Sequence, residues 1–80
     1  MTVSNIIVTV IKMIDYAVIL RNKRIALGYN QQKLAELAGI SQPFLNQIET
    51  KAKKPSIDVF FRLCEVLGLE VNILEKQNNE

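Results

Sequence analysis

Apolar residues recur at helical spacing through the middle of the chain, and three glycines, Gly28, Gly39 and Gly68, punctuate the pattern. From Asp15 to Leu27 it predicts a first helix, with Asp15 in the first turn, Arg21, Lys23 and Arg24 in the last turns, and Gly28 as C-cap. Asn30 is a good N-cap for a second helix over Gln31 to Ala38, with Tyr29 and Leu34 at the two positions of a hydrophobic staple. Gly39 ends that helix. Ser41 then caps a third, in which Pro43 occupies the first turn, where a missing N–H costs little, so the serine hydroxyl should accept from the Phe44 amide. Leu45 and Ile48 fall on the inward face of this third helix, leaving Gln42, Pro43, Asn46 and Gln47 outward. After a basic loop from Lys51 to Lys54, Ser56 caps a fourth helix to about Leu67, whose apolar face is Val59, Phe60, Leu63, Val66 and Leu67.

The two flanks read differently. Residues 2–13 are rich in β-branched side chains and lack a clean helix start. Ile7, Ile11, Ile14 and Val18 share one helical face, which favours an extension of the first helix over an added strand, and a dimer contact is a further option. From Leu69 to Leu74 the period becomes alternating, with Leu69, Val71 and Ile73 on one side and Glu70, Asn72 and Leu74 on the other. A single strand cannot satisfy its own backbone, so the segment predicts pairing with its copy in a second subunit. One domain is expected, divided into an apolar extension (1–14), a helical core (15–68), a dimerisation strand (69–75) and a frayed polar tail (76–80).

Composition narrows the function. Eighty residues support one small core that is only marginally sufficient, which a dimer interface would relieve. The formal net charge is only +2, yet between Arg21 and Lys54 seven basic residues stand against two acidic ones, so positive charge gathers around the third helix. Cys64 has no second cysteine to pair with and no histidine to share a metal with, which makes it a reduced core thiol. Lys12 and Asp15 interrupt the apolar run from Val3 to Leu20 below membrane-spanning length, and the pattern of a signal peptide is not present; a cytoplasmic protein without membrane contact is expected. Nothing points to an enzyme, a metal or a cofactor: there is no histidine, no pair of carboxylates on a common face and no glycine-rich phosphate loop.

What remains is the polar face of the third helix. Amide side chains can answer the donor and acceptor pattern of a base edge in the DNA major groove, as when Gln or Asn meets adenine N6 and N7. Gln42, Asn46 and Gln47 are candidate base readers, and Pro43 can offer apolar contact to a thymine methyl. Gln31 and Ser41, at helix starts, and Lys51, Lys53 and Lys54, in the basic loop, are candidate phosphate contacts.

The residues KRIALGYNQQKLAELAGISQPFLNQIE, followed by KPS and a helix ending at LGL, resemble the Xre/Cro family of helix-turn-helix regulators, which includes lambdoid phage repressors. The resemblance covers Leu20 to Leu69 and rests on the joint spacing of Arg24, Gln31, Ala35, Gly39, Ile48 and Glu49. It implies an all-α, four- to five-helix, lambda-repressor-like domain, to which the alternating segment from Leu69 adds a short C-terminal β-strand expected to pair across a dimer. It further implies that Gln31 touches phosphate, that Gln42 and Gln47 read bases, and that Arg24 and Glu49 form a structural ion pair. Two departures stand out: Thr50 and Lys51 occupy positions where many relatives have Asn-Gly, and Pro43 takes a slot often used for base contact. Further along, FFRLCEVLGLEVNILEK is similar to HipB-type antitoxins. That likeness implies a homodimeric repressor on a palindromic double-stranded operator, autorepressing a toxin-antitoxin operon and binding a HipA-like kinase toxin. Alternatives are a stand-alone or phage-type regulator, and an interaction module without DNA binding.

Overall fold

Four capping side chains determine where the helices begin. In the computed structural model, which describes residues 15–72, α1 spans Tyr16–Ala26, α2 Gln31–Ala38, α3 Gln42–Glu49 and α4 Ile57–Leu67. Asn30 accepts from the Lys33 amide (2.7 Å), Ser41 from Phe44 (3.2 Å) and Ser56 from Val59 (3.2 Å), each satisfying a donor that the first helical turn leaves free. Asp15, expected inside the first turn, stands one position earlier as the cap of α1, its carboxylate accepting from the Ala17 amide at 2.8 Å.

The turn between α2 and α3 consists of Gly39, Ile40 and Ser41. Gly39 adopts φ 71°, which lets its N–H reach the Glu36 carbonyl and the Ile40 N–H reach that of Ala35. This pair of reversed bonds closes the helix and needs a left-handed residue, a conformation that a side chain would strain. The next cap follows two residues later, so the chain changes direction with few unpaired backbone groups.

Each helix contributes its apolar stripe to one core. Leu20 comes from α1, Leu34, Ala35 and Ala38 from α2, Leu45 and Ile48 from α3, and Val59, Leu63, Cys64 and Leu67 from α4. Helix α2 packs on α3 and α4, and α1 packs on the same two. The small Ala35 and Ala38 belong to the face of α2 that these contacts bury. Tyr16 and Phe60 meet edge to face at 6.0 Å between ring centroids, extending the core toward the start of α1.

Among the described residues there is no strand. Leu69 folds back on its own core, with its N–H bonded to the Cys64 carbonyl at 2.8 Å, while Val71 is exposed. Ile73 and the apolar extension 1–14 lie outside the described residues. A lone chain offers the 69–72 backbone no second strand, which is the physical reason it shows no ladder here. Among the described residues no helix is long and apolar enough to cross a membrane.

Leu45 is wholly buried, so Leu45→Ala should cost roughly 2–5 kcal/mol. A chain of this length has about 4–12 kcal/mol in total, so the loss is large. Urea unfolding followed by circular dichroism should show a much lower midpoint at unchanged slope; an unchanged midpoint would place Leu45 outside the core.

Candidate nucleic-acid interface

Arg24 and Glu49 meet between the end of α1 and the last residue of α3. Arg24 donates through Nε to Glu49 Oε2 at 2.8 Å and through Nη2 to Glu49 Oε1 at 3.0 Å, a two-pronged bond between planar groups. Its Nη1 donates to the Tyr29 carbonyl at 2.9 Å. The side chains are 11% and 2% exposed, so both charges have left bulk water and depend on these partners. Their meeting holds the end of α3 against α1 and the loop before α2.

A chain of amides leads outward from this pair. Gln31, the first residue of α2, donates from Nε2 to Glu49 Oε1 (3.0 Å) and to Asn46 Oδ1 (3.2 Å). Gln42, the first residue of α3, donates from Nε2 to Gln31 Oε1 at 2.7 Å. The structure thereby brings together Gln31, Gln42, Asn46, Glu49 and Arg24 across three helices. Gln31's side-chain hydrogens are both engaged within the protein, while its backbone amide, at the first position of α2, has no partner within the helix. A cleft of about 440 Å³ lined by Asn30, Gln32 and Gln42 opens beside that turn.

The rest of α3's outer face is neutral. Gln42, Pro43 and Asn46 are exposed and Gln47 is half-buried. Ser41 is exposed and its hydroxyl oxygen serves as the α3 cap. Lys53 and Lys54 are exposed and make no ion pair among the described residues.

Lys51 behaves differently. It adopts a left-handed φ of 66°, a conformation that glycine takes more easily than a residue with a side chain. Its ammonium lies 3.3 Å from the Asp15 carboxylate and 5.4 Å from the centre of the Tyr16 ring. Lys51 is thus joined to the start of α1, away from its two lysine neighbours. The Ala17 amide first, and then Lys51, hold the Asp15 carboxyl below the usual carboxylate range. Burial pushes the Cys64 thiol up, away from the reactive thiolate form. Neither the amide chain nor the Lys51 contact was visible in the sequence.

Two short helices set across a tight glycine turn, with a polar outer face on the second, define a helix-turn-helix. The family model described as Helix-turn-helix matches residues 20–74, and the chain belongs to that family. Similar proteins include an uncharacterized HTH-type transcriptional regulator of Mycobacterium tuberculosis, 33% identical over 55 residues that cover 69% of this chain and 39% of that protein. The HTH-type transcriptional regulator RamB of the same organism is 35% identical over 60 residues, covering 75% of this chain and 12% of RamB. A propionyl-CoA carboxylase regulator of Cereibacter sphaeroides is 36% identical over 61 residues, covering 76% of this chain and 13% of that protein. The chain therefore spans well under half the length of each of these relatives. No solved structure matches it at a significant level.

The Asp15 contacts make a pH prediction. A carboxyl whose folded pKa is depressed adds stability that is complete above its unfolded pKa and lost as pH falls through the folded one. NMR titration of the Asp15 carboxyl should give a midpoint below the ordinary value, and Lys51→Met should raise it only in part, because the Ala17 amide remains. Full return to the ordinary value in Lys51→Met would show that the lysine alone sets the shift.

Proposed function

We propose that the chain is a sequence-specific DNA-binding domain of a transcriptional repressor, with α3 entering the major groove. The observation that carries this reading is the outward amide face of α3, seated on a buried ion pair and flanked by exposed lysines. Gln42, Asn46 and Gln47 read base edges, with Pro43 offering apolar contact. The backbone amides at the start of α2, together with Ser41, Lys53 and Lys54, meet phosphate. Lys51 contributes to the field of the loop while its ammonium stays with Asp15. The regulator names of the relatives support the same class of function.

A dimer completes the reading. Two copies of α3 would enter successive major grooves of a palindromic operator about 34–36 Å apart. The segment after Leu69 supplies the pairing strand, with Val71 and Ile73 on one side, and the exposed Ile57 and Phe61 on α4 give further apolar surface for the partner. Within this class, the likeness of residues 60–76 to HipB-type antitoxins favours an autorepressing antitoxin that also binds a HipA-like kinase toxin. A neighbouring kinase-like gene whose product co-purifies with this chain would support that narrower assignment; with no such neighbour, a stand-alone regulator remains.

Titration of operator and random DNA separates base reading from phosphate attraction. Gln42→Ala should cost about 1–3 kcal/mol on the best operator and relax one base position. Lys53→Ala and Lys54→Ala should weaken both DNAs equally and make the dependence on salt shallower. Equal weakening of both DNAs by Gln42→Ala would remove it from the readers, and an unchanged salt slope would take the lysines off the backbone.

Because Leu69 belongs to the core of its own chain, the dimer is tested by truncation after that residue. Removing residues 70–80 should give a folded monomer in sedimentation with poor operator affinity. An intact dimer would move the interface elsewhere, to the 1–14 extension or α4.

A further inference from the structure

We infer that Glu49, a residue with no DNA contact of its own, sets which bases Gln42 and Asn46 accept by fixing the direction of the hydrogen bonds that run through Gln31. The inference rests on base reading by α3, proposed above. A carboxylate accepts hydrogen bonds and cannot donate them, whereas an amide has one accepting and one donating end that are nearly equal in size and shape. Glu49 Oε1 therefore obliges Gln31 to turn its NH2 inward, at 3.0 Å. The second hydrogen of that NH2 goes to Asn46 Oδ1 at 3.2 Å. The oxygen of Gln31 is left facing Gln42, which must present its own NH2, at 2.7 Å. Each bond fixes the next, starting from the one group in the chain whose direction cannot reverse.

The consequence is read at the outer surface. Gln42 keeps its oxygen and one N–H free, an acceptor beside a donor, which matches N6–H and N7 of adenine. Asn46 has committed its oxygen inward and shows the groove its NH2, a donor, which suits an acceptor edge such as N7 and O6 of guanine. With the chain reversed, Gln42 would show NH2 and Asn46 its oxygen, and the two preferences would change to guanine for Gln42 and to an amino-bearing edge for Asn46. Glu49 is thus a positioning residue, and Gln31 is the link through which it acts.

Selection of bound sequences from a randomised operator pool, using the full chain, tests this. Gln42→Ala and Asn46→Ala first identify the operator positions that depend on each side chain. Gln31→Met keeps the length of the side chain and leaves the Arg24–Glu49 pair in place while removing the amide link. It should lower base discrimination at both positions by about tenfold, with thermal unfolding little changed. Glu49→Gln supplies a neutral amide in place of the carboxylate and should move the preference at the Gln42 position from adenine toward guanine. Mapped positions that keep their wild-type preferences in Gln31→Met would overturn the inference even if Glu49→Gln fails to fold, as would uniform weakening on all DNAs. If no position responds to Gln42→Ala, base reading itself fails and the inference falls with it.

Discussion

The buried pairing of Arg24 with Glu49 is the constraint on which the rest depends. A guanidinium and a carboxylate with little exposure have lost most of their hydration, and each is tolerable only while the other is in place with its remaining polar atoms satisfied. The structure meets that condition closely: both carboxylate oxygens accept, and the third arm of Arg24 reaches the Tyr29 carbonyl. The free energy gained is modest compared with an apolar replacement, but the geometry gained is specific. A leucine pair would let α3 rotate or slide by a fraction of a turn, whereas a two-pronged bond between planar groups fixes its distance and rotation. Because Glu49 is the last residue of an eight-residue helix, fixing it fixes the whole face that carries Gln42 and Asn46.

The end of α3 is held a second time by Lys51. Its left-handed backbone carries a cost that glycine would avoid, and the contacts with Asp15 and the Tyr16 ring are exposed ones that return only part of it. They link the loop after α3 to the beginning of α1, just as Arg24 links the last residue of α3 to the end of α1. The two attachments lie near opposite ends of α1, and both hold the C-terminal end of α3 and the loop after it. This also gives Asp15 two tasks, capping α1 and anchoring the loop, and the Ala17 amide first and then Lys51 lower the pKa of its carboxyl.

Local chemistry was legible in the sequence because a cap acts on atoms within three residues of itself. Asn30, Ser41 and Ser56 could be assigned from their neighbours alone, and so could the glycine at the turn. Asp15 was displaced by one position, a difference that the composition of the first turn does not encode. The ion pair became legible only through resemblance, since 25 residues separate its members. The amide chain was not legible at all. Gln31 lies 11, 15 and 18 residues from Gln42, Asn46 and Glu49, and no periodicity relates those spacings until three helices are packed. The alternating segment after Leu69 illustrates the opposite limit: alternation gives a preference for a strand, but pairing requires a second backbone that a single chain lacks.

In the proposed reading, charge and readout fall on different elements, and that separation has a physical rationale. The outer face of α3 from Gln42 to Gln47 carries no formal charge, while the exposed lysines Lys53 and Lys54 sit beyond its end. Coulomb attraction to phosphate is long-ranged and indifferent to sequence, so a lysine within the reading face would add affinity to every DNA and dilute the difference between them. Neutral amides act only at contact distance and leave an unsatisfied group when the base is wrong, which is where discrimination comes from. Their weakness is that an amide can turn over and read the opposite pattern. On the proposed reading, a buried carboxylate at the base of the chain, fixed by arginine, would remove that freedom without bringing its negative charge to the DNA surface, so the interaction that positions the helix is also suited to orienting its readers.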